Sequence, residues 1–312
     1  MIEEKIVVGE GSRYPLKGCM TLPDDLTNPV PAVVFVHGSG SSNRDEKVGK
    51  LTPFRDLAHG LAAYGIASVR YDKRSFAHGF RMLRDKSLTI TVQEETIEDA
   101  ILATEMLRQD PRIDPEKIFL IGHSMGGMLA PRIDAEGGNY RGLILMAGTP
   151  RRLEEALIEQ NNDVLSEMSG WMRKLVEKQI SKLNDTFAGL YEMSDEEAKK
   201  KKLGGGVTLY YFKEMGEHPV EAYLAHLAKP ILVMQGEKDF QVKADVDFRM
   251  YKEILADHPR ASFRLYADLN HAFVPSVYGS ITKAKQEYGK EQHIGENVIT
   301  DIADWIRRES VS

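Results

Sequence analysis

One cysteine in 312 residues, Cys19, leaves no partner for an intrachain disulfide and too few thiolates for a metal site. In a strand-like segment it reads as a packing residue. No stretch approaches the roughly 18 consecutive apolar residues that would span a bilayer. There is no excess of positive charge either: 41 Lys and Arg against 47 Asp and Glu give a net charge of -6, which supplies no electrostatic footprint for nucleic acid or an anionic membrane surface. None of the nine histidines stands in His-Glu-x-x-His or another metal-ligand spacing, so no metal is expected. The opening MIEEKIVVGEGSRYPLKG is acidic and lacks a basic flank ahead of an apolar run, so no secretory signal is read there and the cytoplasm is the default location.

What the chain does have is a rhythm of short apolar runs and helical spacings. Residues 4–9 and 14–22 alternate apolar and polar around GEGSR, which predicts an opening hairpin at a sheet edge. PAVVFVHGSG (31–40) is a continuous Val and Phe run ending in a glycine-rich loop, the mark of a strand buried on both faces. GIASVRYD (65–72), KIFLIGHS (117–124), GLILMAGT (142–149), PILVMQGEKD (230–239) and SFRLYAD (262–268) repeat that pattern. Helices are expected over about 53–64, from a Thr91 cap to about 109, directly after Ser124, and near 296–308. This alternation predicts an α/β fold with a mainly parallel central sheet flanked by helices. Residues 151–228 break the rhythm. They are rich in Glu, Lys, Leu and Met, with apolar residues at helical spacing and no convincing strand, so they read as a helical cap inserted into a core of 1–150 and 229–312.

FLIGHSMGG (119–127) runs a buried strand straight into a serine fenced by small residues. Gly122-His123-Ser124-Met125-Gly126 fits G-x-S-x-G, whose glycines permit a sharp strand-to-helix turn that forces the serine side chain outward. A serine hydroxyl is a weak nucleophile at neutral pH, so an imidazole has to take its proton and a carboxylate has to hold that imidazole's tautomer. Asp239 follows the strand ILVMQGEKD, and His271 sits in YADLNHAF past the last strand. Both lie at carboxyl ends of strands, the edge that carries Ser124, and the chain order Ser, Asp, His is the one this architecture requires. Glu237 is an alternative acid, whereas Asp268 stands too near His271 in sequence to come from the preceding acid loop.

Oxyanion donors are expected from the backbone amides of Met125 and of Ser39 in HGSGSS. No G-x-x-x-x-G-K-[ST] is present to make that loop a phosphate cradle. His37 and His123 flank the site and read as structural hydrogen-bonding groups, and Arg44, Asp45, Asp72, Lys73 and Arg74 as an ion-pair network bracing the oxyanion loop. Leu165, Met168, Trp171, Met172, Tyr210, Tyr211 and Phe212 of the insertion are expected to wall an acyl or aryl pocket.

With these residues assembled, the chain resembles the α/β-hydrolase superfamily over nearly its whole length. PAVVFVHGSGSSNRDE, PFRDLAHGLAAYGIASVRYDKR and GHSMGGMLAPRI are similar to stretches of bacterial carboxylesterases related to acyl-CoA thioester hydrolases and bile-acid acyltransferases, and of cinnamoyl (feruloyl) esterases. The resemblance implies an α/β-hydrolase fold, a serine nucleophile, an acyl-enzyme and no cofactor. The bile-acid acyltransferases and the dienelactone hydrolases carry cysteine where this chain has Ser124. That difference turns the expectation toward a serine carboxylic-ester hydrolase acting on small acyl or aryl esters, hydroxycinnamoyl esters among them, ahead of an acyl-CoA thioesterase or acyltransferase or a serine peptidase. The expected partner is a small-molecule ester, with no nucleic acid and no membrane, and the sequence leaves room for a homodimer.

Overall fold

The computed structural model describes residues 1–204 and 207–311. Eight strands form one sheet: β1 (Ile2–Val8), β2 (Leu16–Leu22), β3 (Val30–Val36), β4 (Ala67–Tyr71), β5 (Ile113–His123), β6 (Gly142–Met146), β9 (Ile231–Gly236) and β10 (Ala261–Tyr266). Their spatial order is β1-β2-β4-β3-β5-β6-β9-β10. From β4 to β10 every pairing is parallel, and β2 alone runs against its neighbours, paired antiparallel with both β1 and β4. The opening hairpin thus occupies the sheet edge, as the alternation of its side chains predicts.

The continuous apolar runs are split alternately over two faces. Phe35, Ile121, Ile144 and Leu232 are register partners across β3, β5, β6 and β9, and they pack with Phe54, Leu57 and Leu61 of helix Pro53–Ala63 and with Ile302 and Trp305 of helix Glu296–Val311. Trp305 meets Phe119 edge to face at 5.7 Å between ring centroids. One residue along, Val34, Leu120, Leu143 and Ile231 form the opposite row, covered by helix Glu98–Gln109 and helix Met125–Ile133. Each such side chain taken out of water contributes about 1.5–3 kcal/mol, which explains why no polar residue interrupts these rows.

Between β6 and β9 the chain forms helices Leu153–Glu167, Gly170–Ala188, Asp195–Lys200, Leu209–Gly216 and Val220–Leu224. The expectation that this segment has no strand is corrected by a small antiparallel ribbon, β7 (Lys202–Gly204) with β8 (Val207–Thr208). Strands of three and two residues are too short for the alternation by which strands are read. Helix Arg74–Arg84 was also unexpected, for an inverted reason: Arg74 is buried while Phe76 and Phe80 are exposed, so the apolar stripe faces away from the core. Thr91 does start a helix. Its amide and hydroxyl donate to Glu94, and the chain makes one wide turn over Gln93–Ile97 before helix Glu98–Gln109. Among the described residues no helix is long and apolar enough to cross a membrane, and no cluster of three or more His, Cys, Asp or Glu side chains is placed to hold a metal ion.

Helix Met125–Ile133 lies so close to β3 that a methyl group at Gly126 would overlap the Val36 carbonyl oxygen and come within 2.8 Å of the His37 oxygen. Those atoms are backbone and cannot rotate aside. Gly126→Ala is therefore expected to destabilise the fold by at least about 3 kcal/mol, the upper end for overpacking. Gly79, within helix Arg74–Arg84, has nothing within 4 Å of an added methyl, so Gly79→Ala is expected to raise stability by about 0.5–1 kcal/mol. Denaturant titration of the two variants checks both signs.

Candidate active site

Ser124 sits at the tip of β5 with φ 53 and ψ -119, a conformation costly for any residue with a Cβ. The turn holds because its N–H donates to Met146 of β6 at 2.8 Å and its carbonyl accepts from Met128 at 3.0 Å. Gly122 and Gly126 are needed at a shared contact: a methyl on Gly122 would strike the Gly126 carbonyl. The constraint here is close approach rather than left-handed backbone, and it presses the serine side chain out over the sheet's carboxyl edge.

Two loops converge on that edge. Asp239 follows β9 and is buried, and its carboxylate accepts from Gln235 Nε2 (2.8 Å), the Gln241 amide (2.8 Å) and the Val242 amide (3.0 Å). It also accepts from His271 Nδ1 at 2.8 Å. His271 follows β10 in a loop pinned by Asn270, whose side-chain oxygen accepts from the Ala272 amide and whose amide group donates to buried Glu287. The alternatives Glu237 and Asp268 are both exposed. With Nδ1 bonded to the carboxylate, Nε2 is the ring nitrogen left over, and His271 and Ser124 line one cavity.

The third component is the loop after β3. Gly38 approaches so closely that a methyl on it would lie 3.1 Å from Ser124 Cβ. Its N–H donates to Glu46 Oε1 at 2.8 Å and its carbonyl accepts from Lys73 Nζ at 2.9 Å. The amides of Ser39 and Met125 flank the serine and have no acceptor among the described residues. The Met125 amide is in addition the first of helix Met125–Ile133, where the aligned peptide dipoles favour negative charge.

The polar groups around this loop are nearly all paired. Arg44 grips Asp72 through Nε (3.1 Å) and Nη2 (2.9 Å), Arg70 pairs with Asp45 and Glu3, and Arg74 with Asp99 and Glu98. Lys73, 1% exposed, lies 3.5 Å from Glu95 Oε1, and Glu95 Oε2 accepts from Tyr211 at 2.8 Å. Burial pushes the Lys73 ammonium down, and Glu95 pushes it back toward the charged form. His37 is buried against Phe54 and Tyr71 and held near a pKa of about 4 by loss of solvent, so it stays neutral and donates from Nε2 to the Asn43 carbonyl at 3.0 Å. His123 bonds through Nε2 to the His271 carbonyl at 2.8 Å, and its Nδ1 lies 2.9 Å from Glu46 Oε2 in an ion pair. Sequence reasoning placed these groups near the site, but it had no means of singling out Glu46 or Glu95, which carry no motif.

Two cavities meet beside Ser39. A mainly apolar one of about 480 Å³ is walled by Met82, Leu83, Met125, Leu153, Leu157 and Phe212, with Glu95 and Tyr211 also facing it. A smaller, more polar one of about 220 Å³ holds Ser124, His123, His271, Gln241 and Tyr288. Of the insertion residues expected to wall a pocket, Tyr211 and Phe212 do so. Leu165 and Met168 are half-buried elsewhere, Trp171 is 73% exposed, and Tyr210 packs beneath Lys199, whose Nζ lies 4.8 Å from the ring centroid. The Met172 side chain lies outside the described set. Helical spacing marks which residues share a helix face but not which cavity that face meets, and it gave no sign of Leu153 and Leu157.

Comparison with known proteins bears on this geometry. A family model described as serine aminopeptidase, S33, matches residues 27–274. The chain is 32% identical to Esterase EstD of Thermotoga maritima over 304 residues, 97% of this chain and 67% of that protein. Among solved structures, Est1E from Butyrivibrio proteoclasticus superposes with a TM-score of 0.61 at 12% identity, covering 99% of both chains, and has also been solved with ferulic acid bound. An esterase from Pyrococcus furiosus superposes with a TM-score of 0.57 at 16% identity, covering 98% of this chain and 91% of that one.

The Glu46–His123 pair gives the site a pH signature. Burial opposes both charges, yet each partner favours the other, so the Glu46 carboxyl falls below and the His123 imidazolium rises above its ordinary value. The carboxylate's contribution is full above its unfolded value and is lost as pH falls through its depressed folded value; the imidazolium's is full below its unfolded value and is lost as pH rises through its raised folded value. The stability difference between wild type and Glu46→Gln is therefore expected to peak between about pH 4.5 and 6.5 and to shrink on both sides. Urea unfolding of the two proteins across pH 4 to 9 tests this, and a flat difference would remove the ion pair from the account.

Proposed function

The chain belongs to the serine aminopeptidase family S33 and has the α/β-hydrolase fold, and from that premise we propose that it is a serine carboxylic-ester hydrolase with Ser124 as nucleophile, His271 as base and Asp239 as the orienting acid. The observation that carries the reading is the His271 Nδ1–Asp239 bond of 2.8 Å beside a serine held at φ 53. With Nδ1 committed to the carboxylate, Nε2 is the basic nitrogen. It takes the Ser124 proton as Oγ attacks the acyl carbon. The charge that develops on the carbonyl oxygen is met by the Ser39 and Met125 amides, which need no reorganisation because the β3 loop and the helix N-terminus already hold them. His271 then returns the proton to the departing alcohol and draws one from the water that cleaves the acyl-enzyme.

Residues 151–228 act in this reading as a cap, because Leu153, Leu157, Tyr211 and Phe212 of that segment wall the apolar cavity. The acyl group occupies that cavity and the alcohol the smaller polar one. An aryl or medium-length acyl group suits walls of Met, Leu and Phe. The ferulic acid bound to Est1E supports placing hydroxycinnamoyl esters among the candidates. An aminopeptidase needs a carboxylate free to hold its substrate's α-ammonium group. Among the described residues lining the two cavities the carboxylates are Glu46 and Glu95, and each is already bonded within the protein, which supports an ester over an aminopeptidase substrate.

Hydrolysis of p-nitrophenyl esters of increasing acyl length, with methyl ferulate, an acyl-CoA and an amino-acid p-nitroanilide alongside, tests the assignment. Ser124→Ala is expected to abolish ester turnover and Asp239→Asn to lower kcat by about 10⁴. Near-normal turnover in Asp239→Asn together with its loss in Glu237→Gln would move the acid to Glu237. Leu157→Phe shortens the apolar cavity, so it is expected to raise KM for long acyl chains while leaving the acetyl ester unchanged. Consumption of the anilide or of acyl-CoA in preference to every ester would sink the esterase reading.

A further inference from the structure

A lysine that is almost wholly buried needs a reason, since taking an ammonium group out of water costs several kcal/mol unless its partners are well placed. Lys73 caps its own helix with its carbonyl, which accepts from the Phe76 and Ala77 amides, whereas its ammonium and its backbone N–H lead to the loop that carries Ser39 and to the acyl cavity. Its Nζ donates to the Gly38 carbonyl at 2.9 Å. Its backbone N–H donates to the Ser42 carbonyl at 3.0 Å, on the far side of the same loop. Its ammonium faces Glu95 at 3.5 Å, and Glu95 is held in turn by the Tyr211 hydroxyl at 2.8 Å.

The Gly38 carbonyl and the Ser39 N–H belong to one peptide unit. That unit is planar and trans, so its C=O and N–H point in opposite directions. A cation fixed on the carbonyl side therefore fixes the direction of the N–H on the other side, away from Lys73. The preceding peptide is fixed as well, because the Gly38 N–H is bound to Glu46. A positive charge on the carbonyl also polarises the unit and makes its N–H a stronger donor.

We propose that Lys73 is the positioning residue of the oxyanion hole: it aims and polarises the Gly38–Ser39 peptide, and Glu95 with Tyr211 holds its ammonium in place from the cap side. The proposal rests on the reading of Ser39 as an oxyanion donor and deepens it. Lys73 touches no reacting atom. Its effect appears where charge develops on the acyl oxygen, in the transition state and not in the bound ester, so its loss lowers kcat and leaves KM alone.

Three variants test it. Lys73→Met keeps the stem and removes the charge; Lys73→Met/Glu95→Gln removes both charges so that no carboxylate is stranded; Glu95→Gln keeps the shape and the Tyr211 contact while loosening the ammonium. Each is assayed for kcat and KM on a p-nitrophenyl ester, for inhibition by a trifluoromethyl ketone, whose Ser124 adduct carries an oxyanion, and for labelling of Ser124 by a fluorophosphonate as a count of folded active sites. Both Lys73 variants are expected to lose about 10²-fold in kcat with KM within about threefold, and to lose ketone affinity by the same factor. Glu95→Gln is expected to lose about tenfold in kcat on the same pattern, and it carries the test if the lysine variants do not fold. A kcat within threefold of wild type in a variant that labels fully, or a rise in KM at constant kcat, overturns the proposal. Undiminished turnover in Ser124→Ala would instead overturn the esterase mechanism on which it rests.

Discussion

The contact of Gly126 with the Val36 carbonyl is the constraint on which the site depends. Because no side chain separates them, helix Met125–Ile133 packs directly on the β3 backbone, and the end of β5 is drawn against the end of β3, where Gly122 and Val36 are register partners. The serine turn and the β3 loop become one unit, with Gly38 so near Ser124 that an added methyl would crowd the serine Cβ. A methyl group at any of Gly38, Gly122 or Gly126 would push the two apart. Small residues here do what a side-chain network could not, since backbone amides can converge on one point only if nothing stands between them.

Around this unit the fold places three buried pairs: the ion pairs of Glu46 with His123 and of Lys73 with Glu95, and the hydrogen bond of His271 to Asp239. Buried pairs are weak evidence of stability, because desolvation offsets much of their attraction. Two of them end on backbone groups of the site itself. Glu46 accepts from the Gly38 N–H, His123 bonds the His271 carbonyl, and Lys73 donates to the Gly38 carbonyl. Their common consequence is orientation: each holds a loop whose own sequence would leave it free. The Asp239 carboxylate, with Gln235 and two backbone amides on it in addition to His271, belongs to the same pattern.

The segment between β6 and β9 shares one cavity with helix Arg74–Arg84, which presents Met82 and Leu83 to the same space. Two elements far apart in the chain thus form one apolar chamber next to Ser39, while the polar chamber beyond Ser124 is built from loops of the sheet's carboxyl edge. The division into an apolar and a polar side is what an ester with unlike halves requires, and it arises because the inserted segment and the Arg74–Arg84 helix add their apolar side chains to those of Ile90 and Met125 at that edge.

The sequence by itself determined the sheet and the proposed triad. Runs such as AVVFV and IFLI are apolar at every position, which only a strand buried on both faces tolerates, and Ser124 and Asp239 follow or closely trail such runs, while His271 trails ASFRLY, a half-exposed edge strand. Strand ends are local events, so residues attached to them can be placed without knowing the rest. Tertiary structure alone decided which residues wall the cavity and which partners the bracing charges take. Trp171 and Leu157 both lie on amphipathic helices of the insertion, yet one is exposed and the other walls the cavity, because the difference depends on how those helices settle over the sheet. The sequence marked Lys73 as part of a bracing network but not its partner Glu95, which carries no motif. Lys73 has its partners because β3 and β4 pair in parallel and bring their following loops together, so the Gly38 carbonyl, 35 residues away along the chain, lies 2.9 Å from its ammonium.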